Sequence, residues 1–437
     1  MLVVTGTIES LKLLNKELNK TQSESHYIDS NFDKLAHQPH GTSAPHSFYV
    51  FKFDSSNGSM TLLNVVGDTS DVVNPAFSRF HPRLNVMYVC TEDVEENGKI
   101  IAYRVCQDGH LIELGKVDAG GTSTCYITLD QDTRYLLAAN YWNSMIVTIP
   151  LSLSMGNFVG DIISKYDPSR GKTVNARTRK LGGVNHCNND ERTIAARQAD
   201  PHPHAIVLDP YEGCIAYVPC LGENNVREFF YNKREGKIML DLNYFPCRTD
   251  LGRPYGPRYL VFHPSHNTMY VVNEFNSTVT VYSVNKDLIN EISTAATKGE
   301  CIEHFKGQST LKYLQSISTI PNTFPKTENT CGRICVHKSG RFVLVSNRGH
   351  QSICVLKVSE RENAGYLSLI GFFHTRGNTP RHFKFDESGT YIIVANQDSD
   401  NISIFKFDQS VGEITFSGFE YKVPSPNFIC RCTIFDD

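Results

Sequence analysis

A repeat of about fifty residues constrains this chain more than any other feature. Residues 256–282, GPRYLVFHPSHNTMYVVNEFNSTVTVY, hold three short apolar runs separated by polar turns. The first run, YLVF, stops at HPSHN, a stretch of turn-forming residues. The second, MYVVN, and the third, STVTVY, carry the β-branched and aromatic side chains of strands. A meander this small cannot bury its own face, so it needs neighbours of the same build. Five more copies begin near residues 78, 125, 204, 333 and 381. With the copy at 258, the intervals are 47, 79, 54, 75 and 48 residues. A period near fifty with two enlarged intervals is the mark of propeller blades with inserted loops. A seventh unit combines SFYVFKFD with the N-terminal MLVVTGT and the C-terminal FICRCTIF, closing the ring through the two ends. The expected fold is therefore all-β, a seven-bladed β-propeller. It forms one domain over residues 1–437, with insertions at about 8–45, 152–200 and 285–331.

A chain of 437 residues would otherwise suggest two or three domains. A ring can grow without enlarging any single core. The 43 basic and 46 acidic residues leave a net charge of -3, so no global field favours nucleic acid or an anionic membrane. No apolar run approaches the ~20 residues that cross a bilayer. The first twenty residues lack the basic region and cleavage site of a signal peptide. Thirteen cysteines, among them Cys90, Cys214, Cys335 and Cys354 within strand patterns, read as buried free thiols. That usage fits a reducing compartment, so the expected location is cytoplasmic. Within the insertions, LKLLNKELNK and KDLINEISTAATKGE have helical spacing, and SRGKTVNARTRKLGG is a basic, solvated loop.

Charged residues recur just before a unit's first strand or just after its second. His204, Arg258, Arg381 and His382 take the first place; Glu92, Glu274 and Arg348 take the second. In a propeller these turns gather at one mouth of the channel. Guanidinium binds carboxylate or phosphate through paired hydrogen bonds and can hold a developing oxyanion. A neighbouring Glu or His can take a proton from water. The set suits a small anionic substrate. His202-Pro203-His204 is too little for a metal site, HExxH is absent, and there is no GxSxG elbow or phosphate loop. Neither a metal nor a cofactor is expected. Trp142, the only tryptophan, reads as a packing or rim residue rather than a ligand platform.

The motifs RQADPHPHAIVLDP, GPRYLVFHP, VVNEFNSTVTVY, VSNRGHQSICVL, GNTPRHFKFD, VANQDSDNISIF and VPSPNFI resemble the lactonase family of seven-bladed β-propellers. That family includes bacterial-type 6-phosphogluconolactonase and the fungal 3-carboxy-cis,cis-muconate lactonizing enzyme. The likeness runs from about residue 47 to the C-terminus, outside the two later insertions. It implies an active-site set of His204, Arg258, Glu274 and Arg348. Arg381, His382, Glu92 and Tyr259 are the expected substrate contacts. The chain departs from the family at Tyr259, where histidine is usual. It departs again at Thr124-Cys125-Tyr126, at Cys220 and at Arg333. The resemblance implies hydrolysis of a small anionic sugar lactone, 6-phosphogluconolactone first, with His204 or Glu274 moving the proton. A cycloisomerase acting on a carboxylated muconate and a non-catalytic scaffold that binds other proteins are the alternatives. No nucleic-acid or membrane partner is expected.

Overall fold

The computed structural model describes residues 1–6, 44–68, 72–93, 96–168, 194, 197–246, 254–360 and 364–435. They form seven four-stranded antiparallel sheets arranged as a propeller. Six blades take their strands in chain order from the axis outward. Their innermost strands are Pro75–Phe80, Thr124–Leu129, Val207–Leu208, Pro257–Phe262, Thr330–Val336 and Pro380–Phe385. In the seventh blade the innermost strand is the C-terminal Pro426–Arg431, followed by Leu2–Gly6, His46–Asp54 and Ser59–Asp68.

Burial explains the composition of each strand. The second strands of the first six blades, such as VMYVCT, YLLAAN, TMYVVN and YIIVAN, are buried at every position. Each lies between two neighbouring blades, so both of its faces demand apolar or small side chains, about 1.5–3 kcal/mol for each large one. The outermost strands instead alternate or are mostly wet, as in LIELGKVD. That is why two of them were not legible. Ser164–Tyr166 and Leu311–Ser318 are fourth strands of their blades, inside the stretches 152–200 and 285–331 expected to be insertions only. Lys286–Lys298 is the helix expected in the second of these. The Asn285 side chain caps its start by accepting from the Leu288 amide at 3.1 Å, and Gly299 ends it at φ 74°. Leu288, Ile289 and Ile292 bury its apolar face. The expected helix at LKLLNKELNK and the basic loop SRGKTVNARTRKLGG lie outside the described residues.

The turn after each innermost strand is fixed by one side chain. Asp209 accepts five backbone amides, from Tyr211 to Ile215. His263 does similar work with Nδ1, while its Nε2 lies 2.8 Å from the Gly340 carbonyl of the next blade. Trp142 is fully buried against Tyr141 and His202, so of the packing and rim roles expected it takes the first.

Ring closure follows the expected plan. Leu2–Gly6 pairs with Pro426–Arg431 on one side and His46–Asp54 on the other, and the Met1 ammonium donates to the Cys432 carbonyl at 3.0 Å. Without the C-terminal strand, Leu2–Gly6 would be an exposed edge, which β-proteins avoid. Deleting residues 427–437 is expected to abolish soluble expression. Recovery of a soluble, cooperatively melting truncated protein would show that closure does not depend on this pairing.

Candidate active site

The innermost strands share a defect at one level. Each carries one residue more than its partner, so the register shifts between Pro75 and Phe77, Thr124 and Tyr126, and Pro257 and Tyr259. The same shift falls between Cys331 and Ile334, Pro380 and His382, and opposite Thr5 and Gly6 beside Asn427. In the third blade, Pro203 opposes Cys220 while Val207 opposes Tyr217, a one-residue shift across the stretch holding His204. A bulge leaves the extra residue out of the ladder and re-aims its side chain. The residues so released include Ala76, Cys125, His204, Arg258, Arg381 and Asn427. All six line one cavity, together with Glu92, Tyr141, Tyr259, His382 and Phe428. The cavity is tight, about 20 Å³, room for about one ordered water.

A second ring of positions surrounds it. The residue after each second strand turns its amide back to the chain before the innermost strand, as in Glu92 to Asn74, Tyr141 to Ser123 and Glu274 to Gly256. These turns place Glu92, Tyr141, Glu274 and Arg348 at the same mouth.

Glu274 is the electrostatic centre, with no exposed surface. Arg197 Nη1 lies 2.8 Å from its Oε1, Arg258 Nε 2.8 Å from its Oε2, and Arg348 Nη2 3.3 Å from its Oε1. The Arg258 contact is close but poorly aligned, an ion pair more than a hydrogen bond. Burial alone would raise this carboxyl. Arg197, Arg348 and Arg258 outweigh it and hold the group well below the usual range. A carboxylate so stabilised is a poor base.

His204 is placed differently. It is 5 % exposed and lines the cavity, and its Nδ1 has no hydrogen-bond partner among the described residues. Tyr141 and Tyr259 meet its ring edge-on, each at 5.3 Å. Burial first, and Arg258 second, hold the imidazole well below its ordinary 6.5, against a weaker opposite pull from Glu274. It is neutral at physiological pH. Arg381 and Glu92 face each other loosely at 3.9 Å with about a fifth of each side chain exposed. His382 packs on Phe428 at 4.0 Å, and burial followed by Arg333 keeps it neutral too.

The eight expected site residues therefore converge. His204, Arg258, Tyr259, Arg381, His382 and Glu92 line the cavity, and Glu274 and Arg348 are joined to Arg258 behind it. Sequence reasoning missed Arg197, which also donates to the Tyr141 hydroxyl at 3.0 Å. It precedes the third blade, outside the repeating pattern, although it opens the motif RQADPHPH. Its segment is pressed onto the turn at Leu221-Gly222, where an added Cβ on Gly222 would lie 1.8 Å from the Asp200 carbonyl oxygen. A wider groove, about 660 Å³, lies at the other end of the first blade, between Arg83, Arg104 and Phe435, with no comparable gathering of buried charge.

A family model described as "Lactonase, 7-bladed beta-propeller" matches residues 39–431. The chain belongs to this family. Membership makes it an enzyme of the lactone-hydrolase type. A 6-phosphogluconolactonase of Yersinia pestis is 28% identical over 367 residues, covering 84% of this chain and 89% of that protein. A protein of Lactococcus lactis is 29% identical over 379 residues, covering 86% and 92%. Among solved structures, a periplasmic gluconolactonase of Pseudomonas aeruginosa superposes with a TM-score of 0.71 at 21% identity over 98% of both chains. That likeness supports the propeller fold.

Replacing Glu274 by alanine leaves three guanidiniums buried together. The expected loss is about 3–5 kcal/mol of stability, read as a lower urea midpoint. Because the folded carboxyl is held below its ordinary value of 4.5, its contribution is complete above about pH 4.5 and lost as pH falls through the lower folded value. Variant and wild type should therefore converge in stability only at strongly acid pH. An unchanged midpoint at neutral pH would show that the cluster does not hold the blades together.

Proposed function

We propose that this protein hydrolyses a small anionic sugar lactone, with 6-phosphogluconolactone the first substrate to test. The observation that carries the reading is the neutral imidazole of His204, its Nδ1 without a hydrogen-bond partner among the described residues, on the wall of a cavity shared with Arg258 and Arg381. The name of the Yersinia relative favours the same substrate.

In this reading a water in the cavity attacks the lactone carbonyl carbon while His204 takes its proton. The carbonyl electrons move to oxygen, and Arg258 faces the oxyanion that forms. As that intermediate collapses, the ring C–O bond breaks. His204 returns its proton to the departing ring oxygen, leaving a hydroxy acid. Glu274 takes no proton. It holds Arg258 from behind, with Arg197 and Arg348 filling its remaining surface. The cavity fits the water alone, so the sugar ring lies at its opening, where Arg381 and Glu92 can swing because their pairing is loose. Arg381 then meets the substrate's anionic group through its paired donors. The eleven cysteines among the described residues are all free, which supports a cytoplasmic location.

His204→Asn is expected to lower kcat by about 100-fold or more, with the urea midpoint little changed. Since the His204 pKa lies well below 6.5, kcat/KM for wild type should be flat above that pH and fall only on the acid side. An activity limb centred above 6.5, or full activity in His204→Asn, would refute His204 as the base. Arg381→Lys keeps the charge and loses the fork, so KM should rise about tenfold, the worth of one charged hydrogen bond, with kcat nearly kept. If purified enzyme leaves the lactone at its spontaneous rate, yet removes the diene absorbance of a carboxylated muconate, the cycloisomerase reading takes its place.

A further inference from the structure

We propose that the central channel binds a second small oxyanion of the phosphate type, on the side of the aromatic plug away from the catalytic mouth. This site is separate from the lactonase centre and does not rest on its assignment.

The register of the innermost strands defines the levels. One residue past each bulge lie Phe77, Tyr126, Tyr259, Arg333, His382 and Phe428. The aromatic members cross the axis in contact. Phe77 lies 4.4 Å from Tyr126 and 4.5 Å from Phe428, and Tyr126 lies 5.6 Å from Tyr259. All are buried, so they plug the channel. Two residues further along come Arg79, Thr128, Val207, Val261, Cys335, Lys384 and Cys430. All but Cys430 are half-buried, as befits a vestibule that solvent reaches.

Arg79 and Lys384 stand at this level, and Arg333 joins them from the level of the plug. The Arg79 guanidinium carbon sits 5.3 Å from the Phe77 ring and 5.6 Å from the Tyr126 ring, and among the described residues its nitrogens find only neutral partners, the Tyr126 hydroxyl and the Ile127 carbonyl. Arg333 leans on the Tyr259 ring at 5.5 Å, and its buried Nε has no hydrogen-bond partner among the described residues. Lys384 makes no ion pair among the described residues. Burial, and next Arg333, pull its ammonium down to about 8, and Arg79 adds to the effect. No carboxylate pairs with His382 above it among the described residues; Arg333, Arg258 and Arg79 also act on that ring, and the thiols of Cys335 and Cys430 lie near Lys384. Cations held together in a partly desolvated channel, with no carboxylate paired to them among the described residues, repel one another. An anion with several acceptor oxygens removes that repulsion and offers the guanidiniums their matched geometry.

The test is thermal melting of the full chain against inorganic phosphate, in a zwitterionic buffer free of phosphate and sulfate. Wild type should gain melting temperature as phosphate rises through the millimolar range. Arg333→Gln and Lys384→Met should each reduce that gain at least fivefold. In phosphate-free buffer both should melt as high as wild type or higher, because one repelling cation is gone. Arg381→Gln, at the catalytic mouth, should keep the gain. No gain in wild type at about 10 mM, ten times a millimolar dissociation constant, would overturn the site. So would a gain that survives in Arg333→Gln and Lys384→Met, or one that disappears in Arg381→Gln while those two retain it. If the two variants melt lower in phosphate-free buffer, the cations are structural and the proposal fails.

Discussion

One extra residue in each innermost strand is the constraint on which the site depends. A regular antiparallel ladder would keep every inner side chain at the interfaces between blades. The bulge frees one side chain per blade and turns it towards the axis. Because all seven blades carry it at one level, seven unrelated sequence positions form a ring. His204, Arg258 and Arg381 occupy three of those positions. The others hold small or polar residues, Ala76, Cys125, Gly332 and Asn427, which leave room between the functional ones. Chemistry is thus added to the propeller at positions whose main-chain hydrogen bonds the fold already gives up.

Charge then divides the labour among the residues so placed. Glu274 is the single carboxylate among three guanidiniums, and its full burial lets it select none of the chemistry directly. Each Arg comes from a different part of the chain: before the third blade, on the fourth and on the fifth. The cluster therefore ties three blades together and fixes Arg258 in one orientation. His204 lies beside the same cations but lacks a partner, so burial and Arg258 keep it neutral. Two groups that looked interchangeable as bases from the sequence are separated by environment alone.

Much of the fold was legible because strand-turn-strand patterns depend on local chemistry. The buried second strands, the HPSHN turn and the pairing of the two chain ends all have sequence signals. The outer strands Ser164–Tyr166 and Leu311–Ser318 were less so, since a strand wet on one face and short of apolar residues reads as loop. The site was legible to the extent that it repeats: His204, Arg258, Glu274 and Arg348 stand at matching places in successive units. Arg197 stands in none, and only the packing of its segment against Leu221-Gly222 carries it to Glu274. The bulges themselves leave no mark in composition. They follow from the count of residues between paired strands.

The net charge of -3 pointed to no anionic partner, yet the axis of the molecule is cationic. The two facts are compatible because the signs are segregated by depth. Acidic groups such as Asp54, Asp108 and Asp408 cap exposed outer turns, where their carboxylates accept hydrogen bonds from nearby amides and side chains. Arg197, Arg258 and Arg348 are buried at the mouth, and Arg333 at the plug and Arg79 and Lys384 beyond it are half-buried. Water screens the outer charges strongly and the inner ones weakly. An anion approaching a mouth therefore responds to the few cations of the channel more than to the acidic rim, and the walls of the channel focus that attraction. The sign of a whole protein says little about a site when the charges that matter are those removed from water.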